Sequence, residues 1–343
     1  MGSSAASPSP SRAVRAGHGK GFVLIAVVYL LGLFIGALDT GIVTPARTVI
    51  QGDLGITDQM SVWIITVYTL AYAAAIPVMG KLADRSGRKR IYLVSIALFG
   101  AGSLLCGLAQ DVGSFWMLLG ARAVQAVGGG GIVPVATAEF GTTFPPEKRG
   151  LALGLVGGVY GIANIFGASA GSLMLSLFGQ TNWQFIFYVN VPICAAIVAV
   201  GVFVLPNTRA EEVKPIDGFG IAVLVTMALL YGLKNLDFFD VGASVASTDV
   251  WPFLLAFVVL LPLFVLIERR AADPVLNLSY FRNRDILVTL VLSVITGVIL
   301  MGIIFIPQFA ENVLKLPSGS GGYVVIVLAA FAGVGAPVSI GSA

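Results

Sequence analysis

The stretch Gly80-Lys81-Leu82-Ala83-Asp84-Arg85-Ser86-Gly87-Arg88-Lys89-Arg90 decides the fold of this chain, because it places five basic residues between two long apolar segments. Each segment has about twenty residues, the length that crosses a bilayer. Short loops rich in Lys and Arg stay on the cytoplasmic side, so this loop orients every other span. Within it we expect Gly80 to allow close approach of two backbones, Asp84 to cap the next helix and Gly87 to permit a tight turn.

The composition places the chain among polytopic membrane proteins. Hydrophobic residues make up 57% of the chain and charged residues 11%, with a mean hydropathy of +0.95. Soluble proteins carry about a quarter charged residues. The net charge is only +3 and the basic residues lie in short loops, so no nucleic-acid partner is expected. The two cysteines, Cys106 and Cys194, lie in apolar runs without metal-ligand spacing and are expected to be small core residues.

Ten apolar segments can be placed as membrane spans along the chain. They lie near residues 22–45, 60–79, 91–109, 114–140, 150–178, 184–205, 217–234, 251–267, 286–308 and 321–338. A Ser- and Pro-rich segment, residues 1–20, precedes them and is expected to be a disordered cytoplasmic tail. A polar linker, residues 206–216, follows the sixth span.

The basic residues are distributed as this arrangement requires. With the N-terminus inside, sixteen of the twenty Lys and Arg residues fall in cytoplasmic segments. Arg47, Lys234 and Lys315 fall outside, and Arg122 lies within a span. Inserting or removing one early span would destroy this asymmetry. The chain is therefore predicted to be an all-α, multi-pass protein of the plasma (inner) membrane with a cytoplasmic N-terminus.

The 80–90 loop resembles the G-x-L-A-D-x-x-G-R-K/R sequence after the second span of the major facilitator superfamily of secondary transporters. The stretch Leu38-Asp39-Thr40-Gly41-Ile42-Val43 is similar to a signature of its fourteen-span drug:proton antiporter branch. The resemblance implies a six-helix bundle over residues 21–205 that consists of two inverted repeats, the linker, two inserted spans over 217–268 and the start of a second bundle over 269–343. A full member needs more spans in that second bundle, so we expect the chain to be truncated at its C-terminus.

Two ionisable residues inside the spans are candidates for proton coupling. A charge at mid-membrane costs at least about 2.5 to 3.5 kcal/mol on insertion scales, so Asp39 must be paired or protonated. Arg122 belongs to a run that resembles the family's R-x-x-Q-G-x-G signature, at a depth matching that of Asp39. A carboxylate keeps its charge beside a guanidinium and takes up a proton when separated and desolvated, so relative movement would couple protonation to alternating access. The alternative is a structural Asp39 bonded to backbone or to Arg47.

Polar residues on three spans are candidates for contact with substrate. Gln125 lies one helical turn from Arg122 and is expected either to bind substrate or to hold the arginine in place. Asn164 on the fifth span and Asn190 on the sixth are expected to face a central cavity.

The loop and one acidic residue form a predicted inner gate. Glu139, at the cytoplasmic end of the fourth span, is expected to pair with Arg85 or Arg88. The residues assigned to the gate are Gly80, Asp84, Arg85, Gly87, Arg88, Lys89 and Glu139.

Two further patterns concern packing and anchoring. The fifth span carries glycines at small-residue spacing, which is typical of close helix packing. They are Gly154, Gly157, Gly158, Gly161, Gly167 and Gly171. Trp183, Phe187 and Tyr188 open the sixth span, where aromatic side chains are expected to anchor at the membrane interface.

The leading prediction is a proton-coupled secondary transporter that exports amphipathic or cationic organic compounds, as a multidrug-type antiporter. Its partners are the lipid bilayer, a small organic substrate and protons; no cofactor is expected, since the proton gradient supplies the energy. Transport of a dedicated metabolite by symport or antiport, and a transport-inactive relative acting as partner or sensor, remain alternatives. An enzyme or a metal site is not expected, because the sequence shows no catalytic set and its single histidine, His18, lies in the tail.

Overall fold

The computed structural model describes residues 20–144, 148–209, 228–229, 231–232, 241–248, 250–270 and 282–327. Within these ranges every regular element is a helix. The tail before Lys20, most of the predicted linker and seventh span, and the predicted tenth span beyond residue 327 lie outside the described residues.

The described helices follow the order expected for a chain that crosses the membrane repeatedly. They are α1 (Lys20–Ile42), α2 (Ala46–Asp53), α3 (Asp58–Ser61), α4 (Trp63–Ser86), α5 (Arg88–Val112), α6 (Phe115–Thr143), α7 (Arg149–Phe178), α8 (Phe185–Tyr188), α9 (Asn190–Val204), α10 (Val241–Ala246), α11 (Trp251–Glu268) and α12 (Arg284–Asn312).

Six segments of the described chain are long and apolar enough to cross a membrane. They are Val23–Ile42, Asp58–Ser86, Arg88–Val112, Phe115–Thr143, Arg149–Phe178 and Phe185–Val204. They coincide with the first six predicted spans, and α11 and α12 coincide with the predicted eighth and ninth. The prediction of an all-α, multi-pass membrane protein is therefore confirmed.

The junction of α4 and α5 has the tight turn predicted at Gly87, but the roles predicted for Asp84 and Gly80 are wrong. Gly87 has φ +97°, a conformation that side chains disfavour, so the predicted tight turn is present. Gly87 is itself the N-cap of α5, and no side chain caps that end; Asp84 lies inside the last turn of α4 instead. At Gly80 the nearest described atom to an added Cβ is the Cβ of Pro134, 4.0 Å away, so no backbone of the described chain approaches closely there.

Glycines bring the backbones of α5 and α6 into contact along much of their length. A Cβ on Gly102 would lie 2.5 Å from the Cα of Gln125, and one on Gly128 would lie 2.6 Å from the carbonyl oxygen of Ser95. Both distances are too short for a real Cβ, so these helices touch backbone to backbone. This contact brings the side chains of α5 and α6 within hydrogen-bonding reach.

The glycines of α7 divide into two groups, which corrects the prediction that all of them serve packing. A Cβ on Gly167 would lie 2.5 Å from the carbonyl oxygen of Leu38, and one on Gly171 would collide with the carbonyl oxygen of Ile42, so this half of α7 packs tightly on α1. The other four glycines, Gly154, Gly157, Gly158 and Gly161, have no described neighbour within 4 Å of an added Cβ.

The core of the first six spans consists of two apolar clusters. One contains Ile35, Phe99 and Ile132 and extends toward the 80–90 loop, which we call the inner side. The other contains Ile42 and Phe187 and lies toward the opposite, outer side. Between these clusters, α1, α5, α6 and α9 each contribute at least one buried polar side chain.

Candidate functional site

A polar layer separates the two apolar clusters and holds a buried ion pair. It consists of Asp39, Ser103, Arg122, Gln125 and Asn190, contributed by α1, α5, α6 and α9. All five are buried, with at most 1% of their surface exposed. The Nη1 of Arg122 donates to Oδ2 of Asp39 at 2.8 Å.

Two side-chain amides complete the hydrogen bonding of the carboxylate. Nε2 of Gln125 and Nδ2 of Asn190 each donate to Oδ1 of Asp39 at 2.9 Å. The Gln125 amide also accepts from Nη1 of Arg122 through its Oε1, at 2.6 Å. Gln125 therefore bridges acid and base and fixes the arginine rotamer.

Ser103 ties the two amides to α5. Its Oγ accepts from Nε2 of Gln125 at 2.8 Å and from Nδ2 of Asn190 at 3.3 Å. Its own hydroxyl donates to the carbonyl oxygen of Phe99 at 2.8 Å, one turn earlier on the same helix. The hydroxyl of Ser103 thus uses its one donor and both of its acceptor sites.

Helix α4 encloses the arginine from a further side. The Cζ atom of Arg122 lies 4.0 Å from the ring centre of Tyr68, a cation–π distance. Nε of Arg122 points at the carbonyl oxygen of Ile64, 3.4 Å away. The ring of Phe187, on α8, lies 5.8 Å from the same Cζ atom. A buried charge with this many partners is held in one position in this conformation.

The structure brings together Asp39 and Arg122, the two residues predicted to couple to protons. It does not pair Asp39 with Arg47, which was the predicted alternative. Asp39 pairs with Arg122, whereas Arg47 donates to Asp58 at 2.8 Å and to Ser61 at 2.6 Å. A structural role for Asp39 through Arg47 is therefore wrong, because that guanidinium is occupied by α3.

The residues predicted to line a central cavity occupy different environments. Gln125 and Asn190 are fully buried in the polar layer, because their amides are needed to satisfy the carboxylate, so neither faces an open cavity. Of the two roles predicted for Gln125, the geometry matches that of holding Arg122. Asn164 is half-buried and donates to the carbonyl oxygen of Tyr160 at 2.9 Å, on its own helix.

At the inner side Glu139 joins the loop to the chain that follows the sixth span. It is buried and accepts from Nη1 of Arg88 at 3.4 Å and from Oγ1 of Thr208 at 2.7 Å. The backbone N–H of Arg88 also donates to the carbonyl oxygen of Thr208 at 2.9 Å. Of the two predicted partners, Arg88 is therefore the one that Glu139 contacts, and Arg85 lies on an exposed part of α4.

Another basic residue of the loop, Lys89, takes a different partner. Nζ of Lys89 donates to the carbonyl oxygen of Val202, at 2.7 Å, near the end of α9. Together with the contact of Thr208, this hydrogen bond fixes the 80–90 loop to the C-terminal end of the six-span bundle.

At the outer side the turn after α12 docks on the six-span bundle. Glu311 is buried and accepts from the backbone N–H groups of Gly319 and Gly321, at 2.9 and 3.0 Å. Its other oxygen accepts from Oγ1 of Thr48 on α2, at 2.7 Å. The backbone N–H of Gly322 donates to Oγ of Ser172 on α7, at 3.0 Å. Sequence reasoning did not find this site, because an acid near a helix end has no unusual signature.

The aromatic residues opening the sixth span are not all interfacial anchors as predicted. Trp183 and Phe187 are fully buried, and Nε1 of Trp183 donates to Oδ2 of Asp53 at 2.7 Å. A ring with a polar group is buried without penalty when that group finds a partner.

Comparisons with known proteins agree with this architecture. The family model described as Major Facilitator Superfamily matches residues 29–343. The chain is 36% identical over 315 residues to "Uncharacterized MFS-type transporter YfiU" of Bacillus subtilis, covering 90% of this chain and 60% of that protein. It is 31% identical over 311 residues to "Multidrug resistance protein 3" of the same organism, covering 89% and 58%.

Another relative and one solved structure extend the comparison. The chain is 30% identical over 303 residues to "Multidrug export protein EmrB" of Haemophilus influenzae, covering 86% of this chain and 57% of that protein. The chain thus spans less than two thirds of the length of these relatives. The crystal structure of a proton dependent oligopeptide (POT) family transporter matches with a TM-score of 0.51 and 18% identity, covering 87% of this chain and 67% of that one. This likeness concerns the fold.

Proposed function

Because the chain belongs to the major facilitator superfamily, we propose that it serves the proton-coupled export of amphipathic or cationic organic compounds. Relatives named for multidrug resistance and multidrug export support the substrate class. The energy source in this proposal is the proton gradient, and Asp39 is the residue that carries the proton.

One observation supports proton coupling more than any other. The carboxylate of Asp39 and the guanidinium of Arg122 form a 2.8 Å ion pair that is sealed between two apolar clusters. An ion pair of this kind contributes little net stability compared with apolar side chains of similar size. Stability alone is therefore a weak explanation for the presence of this ion pair. Exchange of a proton by the acid is a functional explanation for it.

The pair supports a mechanism in which protonation changes the connections between helices. While Asp39 is charged, it joins α1 to α6 through Arg122. Proton uptake neutralises the acid and removes its attraction to the guanidinium, which stays charged. The bond between α1 and α6 then weakens, and α7 follows α1, since Gly167 holds these two helices in backbone contact. Protonation would thus bias the bundle toward a second arrangement, as alternating access requires.

The inner half of α7 is the proposed substrate-facing surface. Four of its glycines have no described atom within 4 Å of an added Cβ, and the half-buried Asn164 adds one amide. A surface with few polar groups suits organic compounds that are largely apolar. The inner-gate role of Arg88 and Glu139 remains part of this proposal, with Thr208 as their contact.

The proposal is tested by transport in vesicles that contain the whole protein. A pH jump drives efflux of a panel of lipophilic cations, with Asp39→Asn compared against the parent chain. The expected result is loss of pH-driven transport in a variant that remains folded in the membrane. Asp58→Asn is the matched control, since its side chain is 73% exposed, and it should retain transport. Full proton-coupled transport by Asp39→Asn would overturn the proposal.

A further inference from the structure

The groups that surround the Asp39 carboxylate all donate hydrogen bonds to it. Arg122 donates to Oδ2, and Gln125 and Asn190 donate to Oδ1. Such a set suits a charged carboxylate, which is an acceptor only. A protonated carboxyl group carries an O–H, and that O–H needs an acceptor when it is buried. Proton uptake therefore requires an acceptor that the charged state leaves unused.

Among the side chains that hydrogen-bond within the polar layer, two acceptor oxygens are in use and one is not. Oε1 of Gln125 accepts from Arg122 at 2.6 Å, and Oγ of Ser103 accepts from Gln125 at 2.8 Å. Oδ1 of Asn190 is buried, and no donor reaches it from the described residues. Unpaired buried oxygens are uncommon in native structures, so this one requires an explanation.

We infer that the Asn190 amide bonds Asp39 in both protonation states, turning over about its Cβ–Cγ bond when the proton arrives. With Asp39 charged, Nδ2 donates to Oδ1 of the acid, as the structure shows. With Asp39 protonated, the rotated amide presents its carbonyl oxygen to the carboxyl O–H. This inference rests on the proposed role of Asp39 as the proton carrier.

The geometry of a planar amide makes this exchange inexpensive. Rotation by half a turn brings the oxygen to the position from which the nitrogen now reaches Asp39. Rotation gives up one long bond, that of 3.3 Å from Nδ2 to Oγ of Ser103, while the bond from the carboxyl O–H to the amide oxygen replaces the bond from the amide N–H to the acid, so the proton decides between the two orientations. Without rotation, the O–H of the acid and the N–H of the amide would face each other as two donors.

In this inference protonation of Asp39 weakens the connection of α1 to α6 and preserves its connection to α9. The bond from Arg122 on α6 depends on the charge of Asp39, whereas the bond to Asn190 survives its loss. Helix α1 therefore stays connected to α9 while its connection to α6 weakens. Asn190 is in this sense a positioning residue, which directs the helix movement that follows protonation.

Four other ionisable groups of the described residues interact with Asp39. Arg122 faces it from α6, Tyr68 from α4, Cys106 from α5 and Cys194 from α9. Arginine, phenol and thiol groups ordinarily titrate well above neutral pH. In this inference Asp39 is therefore the group of the polar layer that takes up the proton.

Infrared difference spectroscopy on the full chain in lipid vesicles tests this inference directly. Spectra are recorded between neutral and acidic pH with isotope-labelled asparagine. A carboxylic-acid C=O band should appear on acidification and be absent in Asp39→Asn. A labelled amide band should change at the same pH and be absent in Asn190→Leu, or in Asn190→Ser should the leucine variant fail to fold.

The titration midpoint provides a second readout. Asn190→Leu removes a donor to the charged acid and an acceptor for the neutral acid. The bond to the charged form is the stronger one, so the midpoint of the carboxyl band should rise by about one pH unit. Cys194→Ala is the matched control, one turn further along the same face of α9, and should leave the midpoint unchanged.

The outcomes separate this inference from the proposed function. A titrating Asp39 band accompanied by the amide change and by the raised midpoint supports both. A titrating Asp39 band with no amide change, and an unaltered midpoint in Asn190→Leu, overturns the role of Asn190 and leaves the proposed function standing. The absence of any band that depends on Asp39 overturns the proposed function and this inference with it.

Discussion

The ring of Tyr68, on α4, lies 4.0 Å from the Cζ atom of Arg122, and the carboxylate of Asp39, on α1, contacts the same guanidinium. Of these two partners of the arginine charge, the carboxylate loses its attraction when a proton binds, whereas the ring does not. The ring provides a lasting contact that keeps Arg122 in the polar layer when Asp39 is neutral. Because a buried cation without partners is costly, we expect this ring to be required.

Substitutions at Tyr68 should separate the contribution of the ring from that of the hydroxyl. Tyr68→Leu removes the cation–π contact and should lower the free energy of unfolding by about 2 kcal/mol. Tyr68→Phe keeps the ring and loses only a hydroxyl that has no hydrogen-bond partner among the described residues, so stability should hardly change. Unfolding of the purified variants in mixed micelles measures both. Equal losses in the two variants would contradict this account of the arginine.

The acid and the base should contribute unequally when each is removed alone. Arg122→Leu leaves the Asp39 carboxylate buried without its cation and should cost about 3 to 5 kcal/mol of stability. Asp39→Asn should cost less, because an amide oxygen can still accept from Arg122. The double variant should be more stable than the sum of the two losses predicts, since no unpaired charge remains. Additive losses in this double-mutant cycle would show that the two groups do not interact.

The polar layer illustrates what sequence reasoning can find in a membrane protein and what it misses. Asp39 and Arg122 were identifiable because a charge inside an apolar span is expensive and rare. Ser103 was not, because a serine in a helix satisfies itself by bonding the preceding turn, here the carbonyl oxygen of Phe99, and so leaves no signal of its second role. The ring of Tyr68 was missed for a similar reason, since aromatic residues are frequent in spans.

Small residues and amides were harder to assign because their roles depend on which face of a helix they occupy. Glycine spacing predicted close packing for the whole of α7, yet within the described part of the chain only Gly167 and Gly171 of the six meet another backbone. Asn190 was predicted to line a cavity, but its depth along α9 places it level with Asp39 between the two apolar clusters. The roles of these residues depend on how each helix is rotated about its axis and on the height of each residue relative to the neighbouring helices. Neither quantity follows from the order of residues in one span.

Two glycines of α7 provide a matched test of helix packing. Gly167→Ala would place a Cβ 2.5 Å from the carbonyl oxygen of Leu38 and should lower stability by about 1 to 3 kcal/mol through overpacking. Gly158→Ala, on the same helix, meets no described atom within 4 Å and should raise stability by about 0.4 to 1 kcal/mol through lower chain entropy in the unfolded state. Unfolding in mixed micelles compares the two. A loss in Gly158→Ala as large as that in Gly167→Ala would mean that this face of α7 is in contact with protein.

Glu311 should hold the turn after α12 against the six-span bundle. Its carboxylate accepts from Gly319, Gly321 and Thr48, so one side chain organises the turn and connects it to α2. Ser172 lies beneath this turn with 1% of its surface exposed, and an introduced Ser172→Cys thiol should react slowly with a bulky maleimide. The two native cysteines are buried and contribute a low background.

Removing the carboxylate should expose that thiol. Glu311→Ala deletes three hydrogen bonds, two of them from backbone N–H groups, so the turn should leave α7 more often and the labelling rate of Ser172→Cys should rise at least about tenfold, the equivalent of 1.4 kcal/mol. Glu311→Gln should have a smaller effect, since its oxygen can accept from both glycines while its amide donates to Thr48. Asn312→Ala, at the adjacent exposed position, should leave the rate unchanged. Because labelling is done on purified protein, the result does not depend on which side of the membrane the turn occupies. An unchanged rate in Glu311→Ala would show that the hydrogen bond from Ser169 of α7 to the carbonyl oxygen of Gly322, which the Ser172→Cys reporter leaves in place, is sufficient to hold the turn without the acid.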